Sequence, residues 1–161
     1  MVRDHIRFEN AHDLPAVMET FGSSARYDDE PWDEHHTGRD AVRLFYEELL
    51  GALPDLEIEV RNEHASGDAV IIECVIRGTH GGTWRDLPAT GRRLDFPLCG
   101  IYTFDENGKL AGERIYYDRA TVLRQCGVFR EPTSLSGRIL LFLNHPLILT
   151  SAALRGLRRS G

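Results

Sequence analysis

Four segments in the middle of the chain have apolar residues at every second position, which is the period of a half-buried β-strand. They cover residues 56–65, 69–80, 92–104 and 109–118, and turn signals such as Ser66-Gly67-Asp68 and Asp105-Glu106-Asn107-Gly108 separate them. Residues 10–22 and 37–50 precede them and have the apolar spacing of helices. Helices followed by hairpin-linked antiparallel strands predict an α+β domain, with the helices covering one face of a curved sheet.

Composition and charge narrow the class of protein. The 161 residues are 42% hydrophobic and 27% charged, which is typical of a globular chain with a core of its own. The net charge is −6, and the main body has no basic stripe that could neutralise phosphates, so we expect no nucleic-acid partner. Residues 131–161 carry four arginines against one glutamate. This asymmetry predicts two units, a domain over residues 1–130 and an extension over 131–161.

Cysteine usage and the first residues predict a cytoplasmic protein. The three cysteines are widely spaced, with no CxxC pair, and the N-terminal residues contain no apolar signal core. His35 and His36 stand beside Asp33 and Glu34, but adjacent side chains point apart and no HxxxH spacing occurs. We therefore expect no metal, and the absence of GxGxxG and Walker A sequences predicts no nucleotide cofactor.

Strand parity predicts a pocket. If the even-numbered residues of the last three strands point inward, they enclose an apolar cavity with a few polar members, the usual form of a small-molecule site. Its candidate acid/base group is Asp118, whose pKa burial would raise, with His80 as a hydrogen-bonding partner. The candidate substrate-binding residues are Arg114, Tyr116, Phe96, Tyr102, Trp32 and Tyr27.

Each of these assignments has a structural alternative. Asp118 ends a strand before a helical turn, so its carboxylate could cap that turn. His80 precedes Gly81-Gly82 and could be a hydrogen-bonded structural histidine. Arg114 would lie on the surface if the strand register shifted by one residue.

The extension is apolar from Ile139 to Leu154, and Asn144-His145-Pro146 interrupts it. This run is too short and too broken to cross a bilayer. It predicts a broken helix packed on the domain or on a partner subunit of a homodimer. The alternative is a peripheral membrane anchor flanked by Arg155, Arg158 and Arg159.

Several stretches, in this order and spacing, resemble the SnoaL-like polyketide cyclases of the nuclear transport factor 2-like superfamily. They are LPDLEIEV at 53–60, SGDAVIIECVIRGTHGGTW at 66–84, LPATGRRL at 87–94, FDENGKL at 104–110 and ERIYYDRATVLRQCG at 113–127. The resemblance covers roughly residues 8–128. It implies a cone-shaped, cystatin-like fold in which a strongly curved antiparallel sheet is closed by N-terminal helices around a pocket. It also implies that Asp118 is the general acid/base and that His80 is a pocket histidine.

The implied activity is cofactor-free acid/base chemistry on a small apolar carbonyl compound, as in an aldol-type cyclase, an isomerase or a lyase. The alternative is a binding or dimerisation module of the same fold without catalysis, because a fold alone does not determine function. Loss of turnover in Asp118→Asn would favour the enzyme, whereas ligand affinity indifferent to that change would favour the binding module.

Overall fold

The chain begins with two short helices, forms one hairpin and a third helix, and continues as four hairpin-linked strands. A computed structural model describes residues 1–146. The elements are α1 (Val2–Asn10), α2 (Leu14–Thr20), β1 (Arg26–Asp29), β2 (Glu34–Thr37), α3 (Arg39–Ala52), β3 (Glu57–Ser66), β4 (Ala69–Thr79), β5 (Arg93–Phe104), β6 (Leu110–Tyr117), α4 (Arg119–Gln125) and α5 (Leu135–Asn144).

The six strands form one curved sheet in the order β2-β1-β6-β5-β4-β3. All neighbouring strands are antiparallel except β1 and β6, which pair in parallel. The predicted α+β class and helix-covered sheet are confirmed, although the sheet is mixed rather than wholly antiparallel. The parallel pair consists of β6 and β1, a strand from the N-terminal region. Strand β1 was not predicted, because its polar sequence RYDD has no strand signal.

The N-terminal helices differ from the prediction. Helix α1 was not predicted, because two of the four residues on its buried face, His5 and Glu9, are ionisable. Helix α2 begins after Asp13, whose side chain accepts a hydrogen bond from the Ala16 N–H. Asn10, the last residue of α1, exchanges two hydrogen bonds of 2.6 and 3.0 Å with the backbone of Ile58 through its side-chain amide, and so ties α1 to β3.

The core lies between the helices and the inner face of the sheet. Val17, Val42 and Tyr46 from the helices meet Ile72 and Leu94 from the sheet, and none of these side chains is exposed. Apolar burial of this kind is the main favourable contribution to folding.

A β-bulge in the β5–β6 hairpin decides which side of β6 faces the core. Beside the turn, Phe104 pairs with Leu110, but Thr103 then pairs with Gly112, so Ala111 is an extra residue. From there, even-numbered residues of β5 pair with odd-numbered residues of β6, for example Tyr102 with Glu113.

The prediction that Arg114, Tyr116 and Asp118 line the cavity is therefore wrong. All three are exposed, whereas Glu113 and Ile115 are buried. The parity argument holds for β4 and β5, which pair in one unbroken register. It fails for β6 because one inserted residue turns every following side chain to the opposite face.

The extension contributes α5, which is capped by Ser134 and ends next to the predicted interruption at Asn144-His145-Pro146. Its apolar side chains, among them Leu135, Ile139 and Leu143, are exposed and so are not buried against the described part of the domain. No helix within residues 1–146 combines the length and apolarity needed to cross a bilayer. Packing on a partner subunit and membrane anchoring stay predictions, and the remainder of the apolar run lies outside the described residues.

Two substitutions on β6 test which of its side chains face the core. Ile115→Ala removes buried apolar volume and should lower the free energy of unfolding by about 2–4 kcal/mol. Its neighbour Tyr116 is 43% exposed, so Tyr116→Ala should lower it by less than ~1 kcal/mol. Urea unfolding of both variants measures the difference, and a larger loss for Tyr116→Ala would contradict the assignment.

Candidate functional site

A cavity lies between the helices and the inner face of the sheet. Most of its wall is apolar, with Phe45, Leu53, Ile76, Leu94, Phe96 and Ile115 among the lining residues. It contains about 620 Å³ of space free of atoms, part of it open to solvent, of which about 50 Å³ is available to the centre of a water molecule. The cavity is therefore narrow and mostly apolar.

Two groups of polar side chains interrupt the apolar wall. We call the first the His5 cluster, which consists of His5, Glu9, Thr20, Tyr46 and Glu113. The second, the Asp29 cluster, consists of Asp29, Trp32, Glu34, Arg85 and Tyr117. Glu9 and Glu113 of the first cluster, and Asp29 and Tyr117 of the second, line the cavity.

The His5 cluster brings polar side chains of α1, α2, α3 and β6 into close contact. His5 Nδ1 lies 2.7 Å from Thr20 Oγ1, and His5 Nε2 lies 3.0 Å from the Tyr46 hydroxyl. Tyr46 in turn donates to Glu113 Oε2 at 2.8 Å. Glu9 follows His5 by one helical turn, and its Oε2 lies 3.7 Å from His5 Nε2. The helical spacing of α1 thus brings both ionisable side chains to one point.

Burial and the neighbouring charges shift the pKa values of both Glu9 and His5. Burial raises the pKa of Glu9 to about 7, the positive charge of His5 opposes this rise, and the negative charge of Glu113 adds to it. Burial works to lower the pKa of His5, but Glu9 and Glu113 together outweigh it, so the pKa of His5 is raised.

The Asp29 cluster holds one carboxylate oxygen in a fixed position. Asp29 Oδ2 accepts hydrogen bonds from Arg85 Nη2 at 2.7 Å and from the Tyr117 hydroxyl at 3.1 Å. Trp32 Nε1 donates to the same hydroxyl at 2.7 Å, which orients its proton towards Asp29. Asp29 Oδ1 is buried and accepts no hydrogen bond from residues 1–146.

Arg85 is itself held in place. Its guanidinium lies 4.9 Å from the ring centre of Trp32 and 5.0 Å from that of Trp84. Its backbone has a φ of 48°, in the left-handed region, and its N–H donates to Glu48 Oε1. Several independent contacts thus fix the cation that binds Asp29.

The pKa of Asp29 is raised to about 6, because burial outweighs the charge of Arg85 and the hydrogen bond from Tyr117. Asp29 shares the charge of Arg85 with a second carboxylate, since Arg85 Nη2 also binds Glu34 Oε2 at 2.6 Å. Glu34 raises the pKa of Asp29 further. A carboxylate with a pKa just below neutrality is suited to act as a general base.

Two tyrosines supply free hydroxyl groups. Tyr27 and Tyr102 line the cavity and are 3% and 4% exposed. Neither hydroxyl takes part in a hydrogen bond with residues 1–146. Burial raises the pKa of both far above its usual value, so both stay protonated and can donate to a ligand oxygen.

Three predicted substrate-binding residues, Tyr27, Phe96 and Tyr102, do line the cavity. Trp32 lies beside the wall and contacts it through the hydroxyl of Tyr117. These placements agree with the predicted pocket, but none of them by itself tests substrate binding.

Asp118 takes the alternative position predicted for it, as the cap of α4. It accepts hydrogen bonds from the Ala120 N–H at 2.9 Å and from the Thr121 hydroxyl at 2.5 Å. These bonds, chiefly that from Thr121, lower the pKa of Asp118, the opposite of the shift expected for a buried base. A catalytic role for Asp118 stays a prediction that its position does not favour.

His80 is fully buried but is not among the lining residues of the cavity. Its Nδ1 lies 3.0 Å from the hydroxyl of Thr90, and its ring packs against Trp84. Burial lowers its pKa. The contact of Nδ1 fits the structural alternative, a hydrogen-bonded structural histidine, whereas Nε2 is buried and has no hydrogen-bond partner within residues 1–146.

The sequence contained signals for the residues that were missed. Val2, His5, Ile6 and Glu9 have the spacing of one helical face, so Glu9 could have been placed inward. Tyr27 and Asp29 alternate in the manner of a strand, but four residues are too few to establish a period. Glu113 and Tyr117 could be found only by recognising the bulge.

The profile of the SnoaL-like polyketide cyclase family matches residues 1–126. A search of curated proteins finds no match. Among solved structures, AclR from Streptomyces galilaeus, described as a candidate hydroxylase, has a TM-score of 0.68 and 24% identity, over 81% of this chain and 84% of AclR.

Two further structures have the same fold. IdmH from Streptomyces antibioticus, described as a candidate polyketide cyclase, has a TM-score of 0.65 and 21% identity, over 79% of this chain and 96% of IdmH. A protein from Catenulispora acidiphila with a ketosteroid isomerase-like fold has a TM-score of 0.68 and 18% identity, over 80% of this chain and 92% of its own. At these identities the likeness shows the fold alone.

The raised pKa of Asp29 predicts a pH-dependent stability difference. Below pH ~4 Asp29 is protonated in both folded and unfolded chains. Between pH ~4 and the folded pKa of about 6 only the folded chain keeps the proton, so this carboxyl makes the protein less stable as pH rises. The amide introduced by Asp29→Asn does not titrate, so the free energy of unfolding of that variant relative to the unmodified protein should rise by up to ~3 kcal/mol between pH 4 and pH 7.

Urea unfolding at several pH values measures this difference. Asp33→Asn is the matched control, because the Asp33 side chain is 98% exposed. A constant offset between Asp29→Asn and the unmodified protein across the range would show that the pKa of Asp29 is not raised.

Proposed function

We propose that this chain, which belongs to the SnoaL-like polyketide cyclase family, binds a small apolar carbonyl compound in its cavity and moves a proton at the carbon beside the carbonyl. The observation that carries the proposal is the Asp29 carboxylate. It lines an apolar cavity, two donors hold one of its oxygens, and the other oxygen accepts no hydrogen bond from residues 1–146. That free oxygen is the base.

In the proposed step, Asp29 Oδ1 takes a proton from the carbon next to the carbonyl. The electron pair of the broken C–H bond moves into the new C=C bond, and the carbonyl oxygen becomes an enolate oxygen. Asp29 ends the step protonated and can return its proton at another position of the substrate. Ring closure, double-bond migration and elimination can all begin with this removal of a proton, so the same site serves a cyclase, an isomerase or a lyase.

The enolate oxygen needs hydrogen-bond donors, and Tyr27 and Tyr102 supply them. Both hydroxyls are in the cavity wall and neither donates to another residue within 1–146. Donors that are already in place at a developing negative charge lower the barrier, because nothing has to reorganise during the reaction. The step uses only groups of the chain itself.

Asp29 is held ready for this role. With a pKa of about 6 it is mostly ionised at pH 7, yet it is more basic than an ordinary aspartate. The hydrogen bonds from Arg85 and Tyr117 fix its orientation. The rate should therefore rise as pH passes upward through about 6 and then level off.

Exchange of carbon-bound protons tests the proposal without knowledge of the natural substrate. 2-Tetralone, a flat two-ring ketone, is dissolved in D₂O with the protein, and proton NMR follows deuterium entering beside the carbonyl. We expect the protein to accelerate exchange and Asp29→Asn to reduce the acceleration by at least ~100-fold, the usual contribution of a general base. Tyr27→Phe should reduce it less, and Asp33→Asn should leave it unchanged.

Asp118→Asn separates this site from the one that the family resemblance implies. If Asp118→Asn abolishes exchange and Asp29→Asn does not, the proposed base is wrong. If 2-tetralone binds with the same affinity to the unmodified protein and to Asp29→Asn, and neither accelerates exchange, a non-catalytic binding module is the better description.

A further inference from the structure

Three ionisable side chains from distant parts of the sequence meet in the His5 cluster. His5 and Glu9 come from α1 and Glu113 from β6, and they are 0%, 3% and 4% exposed. His5 Nε2 lies 3.3 Å from Glu113 Oε2 and 3.7 Å from Glu9 Oε2. One ligand atom of each residue lies within 4.8 Å of the other two.

The hydrogen bonds around this cluster fix the state of the His5 ring. The Thr20 hydroxyl donates to the Val17 carbonyl at 2.6 Å, so it must accept the proton that His5 Nδ1 carries, over 2.7 Å. In the neutral ring, Nε2 therefore has a lone pair rather than a proton. That lone pair faces two carboxylates.

Tyr46 does not donate a hydrogen bond to this lone pair of His5. Its single hydroxyl proton is donated to Glu113 Oε2, so it is not also available to His5 Nε2. Glu9 Oε2 is buried and accepts no hydrogen bond from the described chain, residues 1–146. Three electron-rich atoms thus converge in an apolar interior, where uncompensated negative charge is costly. A cation, either an added proton or a metal ion, has to lie among them.

We infer that His5, Glu9 and Glu113 form a binding site for one divalent first-row metal ion. Zinc binds histidine nitrogen and carboxylate oxygen at ~2.0–2.2 Å, which places neighbouring ligand atoms of a tetrahedral site about 3.4 Å apart. The two distances from His5 Nε2, 3.3 and 3.7 Å, are close to this spacing. Small rotations of the two glutamate side chains would complete the three-ligand face.

The surroundings of His5 are those of a metal ligand. Metal-binding histidines usually donate the other ring N–H to an oxygen, which fixes the tautomer and the ring plane. Thr20 does this for His5. Glu9 and Glu113 also line the cavity, so an ion can reach them from there and can keep one position open to water or a ligand.

The donor set indicates which ions would bind. One imidazole and two carboxylates suit Zn²⁺ or Mn²⁺, whereas Mg²⁺ prefers oxygen ligands alone and retains its water. We therefore expect the order of affinity Zn²⁺ > Mn²⁺ > Mg²⁺. The proposal does not rest on the chemistry assigned to Asp29, which belongs to the other cluster.

Calorimetric titration with ZnCl₂, MnCl₂ and MgCl₂ tests the site after the full chain has been dialysed against a chelator. We expect one Zn²⁺ per chain, with at least tenfold weaker binding in Glu9→Gln and in Glu113→Gln. His64→Ala is the matched control, because His64 is an exposed histidine 3.6 Å from the carboxylate of Glu73 and should bind no ion in this site. Asp29→Asn should also leave zinc binding unchanged.

Anomalous diffraction at the zinc edge from crystals of the unmodified protein covers the case in which a variant does not fold. A single peak between His5 Nε2 and the two glutamates would support the proposal. Peaks only at surface histidines, Zn²⁺ affinity equal in all variants, or no saturable 1:1 binding would overturn it. In that outcome the cation shared by the three residues is a proton.

Discussion

The extra residue in the β5–β6 hairpin determines the chemistry of the cavity. Because Ala111 is unpaired, Glu113 and Tyr117 enter the cavity and Arg114 and Tyr116 face outward. Without the bulge, the same strand would present an arginine and a tyrosine to the interior. Both polar clusters depend on this inversion, since Glu113 belongs to one of them and Tyr117 to the other.

A buried carboxylate such as Asp29 opposes folding, because it loses its hydration. The contacts around Asp29 reduce this desolvation penalty. Asp29 retains an arginine partner that two tryptophan rings hold in place. Each such contact favours the ionised carboxylate, yet burial still raises its pKa to about 6. Replacing both members of a buried ion pair such as Asp29 and Arg85 by apolar residues is often neutral or stabilising. The buried pair is therefore weak evidence for stability, and it is consistent with the role that we propose for the carboxylate.

Sequence patterns predicted the elements that have clear periodicity and missed those whose polarity follows from a site. The long strands β4 and β5 alternate cleanly, and their inward residues Phe96 and Tyr102 were identified. Helix α1 and strand β1 carry the buried carboxylates, which replace the apolar residues that a pattern search counts. The resemblance to a family implied a pocket with Asp118 as its acid/base, and the order of residues alone does not reveal that a bulge turns Asp118 away from the cavity.

The two clusters lie along one line of the sheet, which constrains how a substrate can bind. Tyr27 pairs with Glu113 and Asp29 pairs with Ile115, so the two inward residues of β1 run parallel to those of β6. Positions two residues apart on one strand face are separated by roughly 6.6 Å. In the proposed reaction, a compound whose acidic carbon reaches Asp29 would place its carbonyl oxygen at a hydrogen-bond donor such as the Tyr27 hydroxyl. In this reaction the carbon that loses the proton is bonded to the carbonyl carbon, so the base and the hydroxyl donor have to reach neighbouring atoms of the substrate.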